Sequence, residues 1–299
     1  MTSVLEDSLA KVPGLSPWER VPPHLYFVGS AVFHYLGPSF AVLLFARVSV
    51  SGVTWLRIAF AALVFAVWRR PWRAFGAMDR HTRWLVVALG VVLAMMNYTF
   101  YAAIDRLPLG TVAAIEFVGP VLLALIGVRS GRNLAALGLA GTGVYLLADV
   151  RLAGEPIGFA LAALNAVLFA LYIIVAHRLS RAGTATSPVD RLGAAMLVAV
   201  VAITPFSLPD ALPALSEPLL IAAGFGVGLT SSVIPYVFDQ MAMTRLTRAT
   251  YALFVALLPA VAVGIGFIVL EQVPVWSEVL AVGFVIGGVL LHRMRDELS

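Results

Sequence analysis

Glu116 is the residue of this chain most obviously placed to do chemistry. It stands in LPLGTVAAIEFVGPVLLALIG, residues 107–127, among the most apolar stretches of the sequence. If that stretch crosses a bilayer, the carboxyl lies near the midplane, where a charge costs roughly 2.5–3.5 kcal/mol and must face protein or an aqueous cavity. A carboxylate there can hold a cationic group through a charge-assisted hydrogen bond, or exchange a proton. Asn97, Tyr98 and Tyr101 fall within about one helical turn just upstream and could stack on or bond a small molecule. Ser232, Tyr236 and Asp239 recur at i, i+4 and i+7, a polar stripe on an otherwise apolar helix that Pro235 interrupts. His34 could carry protons near neutral pH. Asn165 and Tyr172, seven apart, form a similar but sparser pair. Arg57 sits inside another apolar run and needs a counter-charge; Asp105 or Glu271 are the expected partners, in a structural or gating ion pair. Each of these side chains also has a plainer reading, as an interhelical hydrogen bond or ordinary packing.

Positioning such groups requires helices. The composition is 61% hydrophobic and 12% charged over 299 residues, against about 25% charged in soluble domains. A hydrocarbon core needs about 20 apolar residues per helix. On that measure the sequence predicts an all-α membrane protein of about ten spans, near 24–46, 50–68, 84–104, 107–128, 133–150, 156–177, 192–208, 219–243, 249–270 and 276–292. Residues 133–150 are short and glycine-rich (Gly138, Gly141, Gly143), a composition suited to close helix packing. Residues 1–23 read as a cytoplasmic polar tail, 24–150 as a first five-helix unit, 151–292 as a second, and 293–299 as a cytoplasmic end.

Arginine placement predicts the orientation. With the N-terminus inside, sixteen of the twenty basic residues fall on inner segments, and only Arg47, Arg106 and Arg151 on outer ones. That bias puts both termini in the cytoplasm. Arg106, Leu107, Thr111 and Pro120 recur as Arg245, Leu246, Thr250 and Pro259 at a constant offset of 139 residues. The copies open the fourth and ninth spans and so run in opposite directions. This is the signature of inverted-repeat secondary transporters, whose substrate site lies at the midplane between halves. Pro120, Pro235 and Pro259, with Arg57, are the expected helix breaks and gating positions. The repeat mate of Glu116 is Val255, which predicts a site lopsided toward the first half.

Several classes are disfavoured. Cysteine is absent, and the five histidines lack zinc-ligand spacing, so neither metal nor cofactor is expected. No P-loop, HExxH or G-x-S-x-G is present, which argues against an enzyme. The basic residues form no face suited to nucleic acid.

The run MNYTFYAAIDRLPLGTVAAIEFVGP (96–120) resembles the EamA-type transporters of the drug/metabolite transporter superfamily, and within them the bacterial threonine/homoserine exporters. SSVIPYVFDQMAMTRLTRAT (231–250), the stretch from Pro259 to Val273 and the early Arg57 extend the likeness over nearly the whole chain. The resemblance implies ten helices in two inverted five-helix repeats, an inner-membrane location and export of small metabolites such as amino acids. Two positions depart from the pattern: Leu270-Glu271 lacks the glycine usual before the glutamate, and Asp239 stands where the exporters have glutamate. A drug or sugar-phosphate carrier of the same architecture is the alternative, with a membrane-embedded enzyme or channel further off. Small-molecule substrate and lipid are the expected partners.

Overall fold

Runs of twenty or more residues with almost no charge cannot leave backbone amides unpaired in hydrocarbon, so they coil into helices. The computed structural model describes residues 21–119, 131–151, 155–180, 182, 186–243, 245 and 257–293, and every element among them is helical. They are α1 Pro23–Leu44, α2 Val50–Arg69, α3 Pro71–Ala77, α4 Arg80–Ile104, α5 Leu109–Glu116, α6 Gly131–Arg151, α7 Pro156–Ser180, α8 Pro188–Ala211, α9 Pro218–Gly228, α10 Ile234–Met243, α11 Leu258–Leu270 and α12 Trp276–Arg293. A single π-helical turn, Leu229–Val233, joins α9 to α10 in one continuous rod. Among the described residues six helices are long and apolar enough to cross a membrane, α6, α11 and α12 containing shorter apolar stretches. Residues 120–130 and 246–256, within the expected fourth and ninth spans, lie outside the described residues.

Local sequence sets the helix starts. Proline occupies the first turn of α1, α3, α8, α9 and α11, where its missing N–H costs nothing. Ser49 accepts from Gly52 N (3.1 Å) to cap α2, and Ser187 accepts from Asp190 N (3.1 Å) to cap α8. Asp79 caps α4; the Thr82 hydroxyl, with the Thr82 and His81 N–H groups, holds its carboxyl below the usual range. A lowered carboxyl keeps its contribution above the ordinary carboxylate range and loses it only as pH falls through the lowered value.

Large apolar side chains cover much of the outer surface. Val67, Phe206 and Ile268 are 74%, 80% and 74% exposed, a distribution suited to lipid as the solvent. Trp68, Trp72 and Trp84 gather exposed at one end, beside Arg69, Arg70, Arg73, Arg80 and Arg83, as an interfacial aromatic belt would. Ion pairs staple both ends: Arg69 to Asp190 (2.8 Å) at the tryptophan end, and Arg47 to Glu217 (3.0 Å) and Arg106 to Glu155 (3.5 Å) at the other.

Inside, α2 packs on α8 and α9, α4 on α7 and α8, α1 on α10 and α11, α5 on α7 and α11, and α6 on α12. Small residues bring these backbones together. A Cβ at Gly143 would lie 2.6 Å from the Ala281 carbonyl oxygen, so α6 and α12 touch backbone to backbone there. Gly138 and Gly141, also expected at a close crossing, face open space instead. Of the four glycines of α6, only Gly143 makes such a contact.

Glu271 ends α11 with φ 54°, a left-handed conformation that suits glycine, at the position where the resemblance noted a missing glycine nearby. Holding a non-glycine residue there costs about 1–2 kcal/mol, while glycine's looser unfolded chain costs back about 0.4–1 kcal/mol. Glu271→Gly should therefore raise thermal stability slightly, by the equivalent of about 0.5–1 kcal/mol, in a detergent melting assay.

Candidate functional site

The buried polar groups of this bundle converge on one place. Glu116 ends α5 and is 7% exposed; the Asn165 amide of α7 donates to its Oε1 at 3.0 Å. The Asn165 carbonyl oxygen in turn lies 3.3 Å from the Thr99 hydroxyl of α4. A chain of side chains thus runs Thr99–Asn165–Glu116 across three helices, each member buried. The helix that carries Glu116 is held at its start by the Gln272 side chain, which accepts from Leu109 N (3.0 Å) where Pro108 offers no cap. Asn97, His34, Pro38, Met96, Phe100 and Tyr236 join Glu116 and Arg57 around a cavity of about 30 Å³. That is room for a water or two. It is too small, as it stands, for a substrate of amino-acid size.

Arg57, on α2, is 5% exposed and meets the π turn. Its Nε donates to the Ser232 hydroxyl (3.0 Å) and its Nη2 to the Ser231 carbonyl (3.2 Å). Its guanidinium lies 5.0 Å from the centre of the Tyr101 ring, whose hydroxyl is 3.4 Å from Ser231 Oγ. The sequence explains why that carbonyl is available. In a helix the Ser231 carbonyl would accept from residue 235, and residue 235 is Pro235, which has no N–H. The resulting π turn is a local widening common at functional sites, and the freed acceptor takes the arginine. Pro235→Ala restores the competing N–H. We expect it to draw the Ser231 carbonyl back into the helix and loosen Arg57, read as a shifted melting temperature in detergent with the protein still folded.

Several expectations change here. Arg57 makes no ion pair among the described residues; Asp105 and Glu271, its expected partners, are exposed. Tyr98 is 41% exposed and lines a groove with Met95, Phe206 and Ser207 between α4 and α8, away from Asn97 and Tyr101. The cause is helical phase: about 100° separates neighbours, so Asn97 and Tyr101 share a face that Tyr98 leaves. Asn97 itself back-bonds its amide to the Leu93 carbonyl (2.7 Å). The stripe on the eighth span is divided. Ser232 turns to Arg57, Tyr236 to the cavity, and Asp239 accepts from Ser30 of α1 at 2.7 Å. Pro259 stands buried in the first turn of α11, and Pro120 lies outside the described residues.

Sequence reasoning passed over Thr99, Ser231 and Tyr35. Tyr35 is wholly buried, and its hydroxyl has no partner among the described residues. Ser231 was findable, since it lies four residues before a proline within a span. Thr99 and Tyr35 carried no comparable signal. Tyr172 stacks on Phe169 (6.1 Å, 8°), as a packing residue would.

Long apolar helices around a small cavity lined by buried polar residues define a multi-pass helical membrane protein. Residues 156–294 match the EamA-like transporter family. The chain is 32% identical to the threonine/homoserine exporter RhtA of Escherichia coli K12 over 273 residues, 88% of this chain and 90% of that one. It is 30% identical to RhtA of Salmonella typhimurium SL1344 over the same shares. A solved crystal structure of 17% identity shares the fold, with TM-score 0.57 over 93% of this chain and 98% of that one. The chain therefore belongs to the EamA-like transporter family, alongside bacterial threonine/homoserine exporters.

Proposed function

We propose that the protein exports small amino acids of the threonine/homoserine kind across the bacterial inner membrane by alternating access, coupled to protons at Glu116. The observation that carries this reading is Glu116, hydrogen-bonded by Asn165 and lining a small polar cavity between helices of both halves. A substrate ammonium is the natural partner of that carboxylate. Protonation of the same group would release it. One proton crossing 100 mV supplies about 2.3 kcal/mol to such a cycle.

The packing supports two inverted five-helix repeats. Exchange α1 with α7, α2 with α8, α4 with the α9–α10 rod, α5 with α11 and α6 with α12. The contact of α4 with α7 then becomes that of α10 with α1; α4 with α8 becomes α9 with α2; and α5 with α7 becomes α11 with α1. The pairs α2–α8, α5–α11 and α6–α12 map onto themselves. Glu116 and Tyr101 come from the first half, Asn165, Ser232 and Tyr236 from the second. Rocking of the halves would therefore open and close the cavity. The arginine-and-tryptophan end is the cytoplasmic one in this reading, with both termini there. Gln272 then lies on the outer side, gripping the helix that bears Glu116.

A phosphate-bearing substrate would use Arg57, but Glu116 in the same small cavity opposes a dianion. The test is efflux from proteoliposomes loaded with labelled threonine or homoserine. Efflux should accelerate with a proton gradient directed against it; failure of the wild type to move either amino acid would sink the exporter reading.

A further inference from the structure

We propose that Arg57 is the carboxylate-binding residue of this cavity, so that the transporter reads its substrate as a zwitterion, with the ammonium on Glu116 and the carboxylate on Arg57. The inference rests on the exporter reading and narrows its substrate class to molecules that carry both charges on one short framework.

Three observations carry it. First, Arg57 is a buried cation with no anion paired to it among the described residues. Its Nε and Nη2 are spent on a hydroxyl and a carbonyl, its face on Tyr101, and its Nη1 makes no bond among the described residues. A buried charge left unpaired is costly, so a retained one has a partner at some point in the cycle. Second, Arg57 and Glu116 line one cavity and yet form no salt bridge with each other. If the pair were only structural, the two groups would close on one another, since an ion pair in the interior is strengthened by low dielectric. Held apart, they present opposite charges across a gap, and the gap is net neutral, as an amino acid is. Third, Arg57 is held by purpose-shaped backbone. Pro235 frees the Ser231 carbonyl, the π turn presents it, and Gly37 lets α1 lie against Ser231, where a Cβ would fall 2.6 Å from Ser231 N. A residue needed only for helix packing would not call for a proline-freed acceptor.

Binding has to open the cavity, and Arg57 is on α2 while its anchors are on the α9–α10 rod. A carboxylate that replaces the Ser232 and Ser231 bonds would loosen α2 from that rod. Substrate binding and the separation of helices are thereby linked through one side chain.

The experiment compares threonine with threonine amide, which keeps the ammonium and loses the carboxylate, and with the corresponding hydroxy acid, which keeps only the carboxylate. Binding to purified wild-type protein is read by ligand-induced thermal shift, and transport by competition against labelled threonine. A charge-assisted bond contributes about 1.5–3 kcal/mol, so the amide should bind the wild type roughly 10- to 100-fold more weakly than threonine. In Arg57→Gln that preference should collapse to within a few-fold, chiefly through loss of threonine affinity, while amide affinity stays near the wild-type value. Arg57→Lys should restore part of the preference, since it keeps the charge but not the fork. Equal binding of threonine and its amide to the wild type overturns the proposal, as does an Arg57→Gln protein that keeps the wild-type preference. Should Arg57→Gln fail to fold, the wild-type ligand series and Arg57→Lys still decide. Absence of all amino-acid efflux from the wild type would count against the exporter reading alone, because the binding comparison is made without transport.

Discussion

Glu116→Gln should lower the rate of threonine and homoserine efflux by on the order of 10- to 100-fold and flatten what remains against pH, with the protein still folded. The magnitude follows from losing one charge-assisted contact of about 1.5–3 kcal/mol. The substitution is close to isosteric. Its carbonyl oxygen can still accept from Asn165 Nδ2, which now bonds Glu116 at 3.0 Å, so the packing around α5 and α7 persists. A structural glutamate would behave differently: the melting temperature would fall while the surviving protein transported at its normal rate. Efflux from proteoliposomes at several pH values, normalised to folded protein by size-exclusion chromatography, separates the two. Unchanged pH dependence in a folded variant would remove Glu116 from the coupling step.

Gly37→Ala is expected to produce a large loss of stability. The added methyl would meet Ser231 N at 2.6 Å and Ser231 Cα at 2.7 Å. These are backbone atoms and cannot swing aside as a side-chain tip can. Helix α1 must therefore back away from the π turn, an overpacking cost of about 1–3 kcal/mol. The same shift disturbs the turn that seats Arg57, so efflux should fall further than stability alone explains. Gly226→Ala, five residues before Ser231 on the rod and with nothing within 4 Å of its Cβ, is the matched control. A methyl there should change stability by no more than about 0.5–1 kcal/mol, with the helix gaining propensity. Melting in detergent measures both; equal melting temperatures for the two variants would mean that α1 and the π turn are not tightly packed.

Much of the site could be read before any fold was known, and the reasons are local. Glu116 announced itself because a carboxylate in hydrocarbon is expensive wherever the neighbours lie. Helix limits were legible through prolines, serine caps and the length of apolar runs; α2, expected at 50–68, spans Val50–Arg69. Asn165 was visible as a polar residue in an apolar helix, yet its role was not. Nothing in its own segment says that it will face a carboxylate 49 positions earlier. Tyr98 misled for the opposite reason. It looked like its neighbours in sequence, and a turn of about 100° carried it to another groove. Arg57 misled because its charge called for a carboxylate, while the proline-freed carbonyl of Ser231 and the Tyr101 ring accommodate the guanidinium instead.

The sequence by itself determined that this chain is a helical membrane protein, where most of its helices begin and end, and that Glu116 needs a purpose. Those properties depend on each segment's own transfer energy and caps, which hold whatever the other segments do. Only the tertiary structure decided which polar groups meet. Contacts between helices far apart in sequence turn on rotation about each axis and on where small residues let backbones touch. These set Asn165 on Glu116, Ser30 on Asp239, and Arg57 across one cavity from the carboxylate.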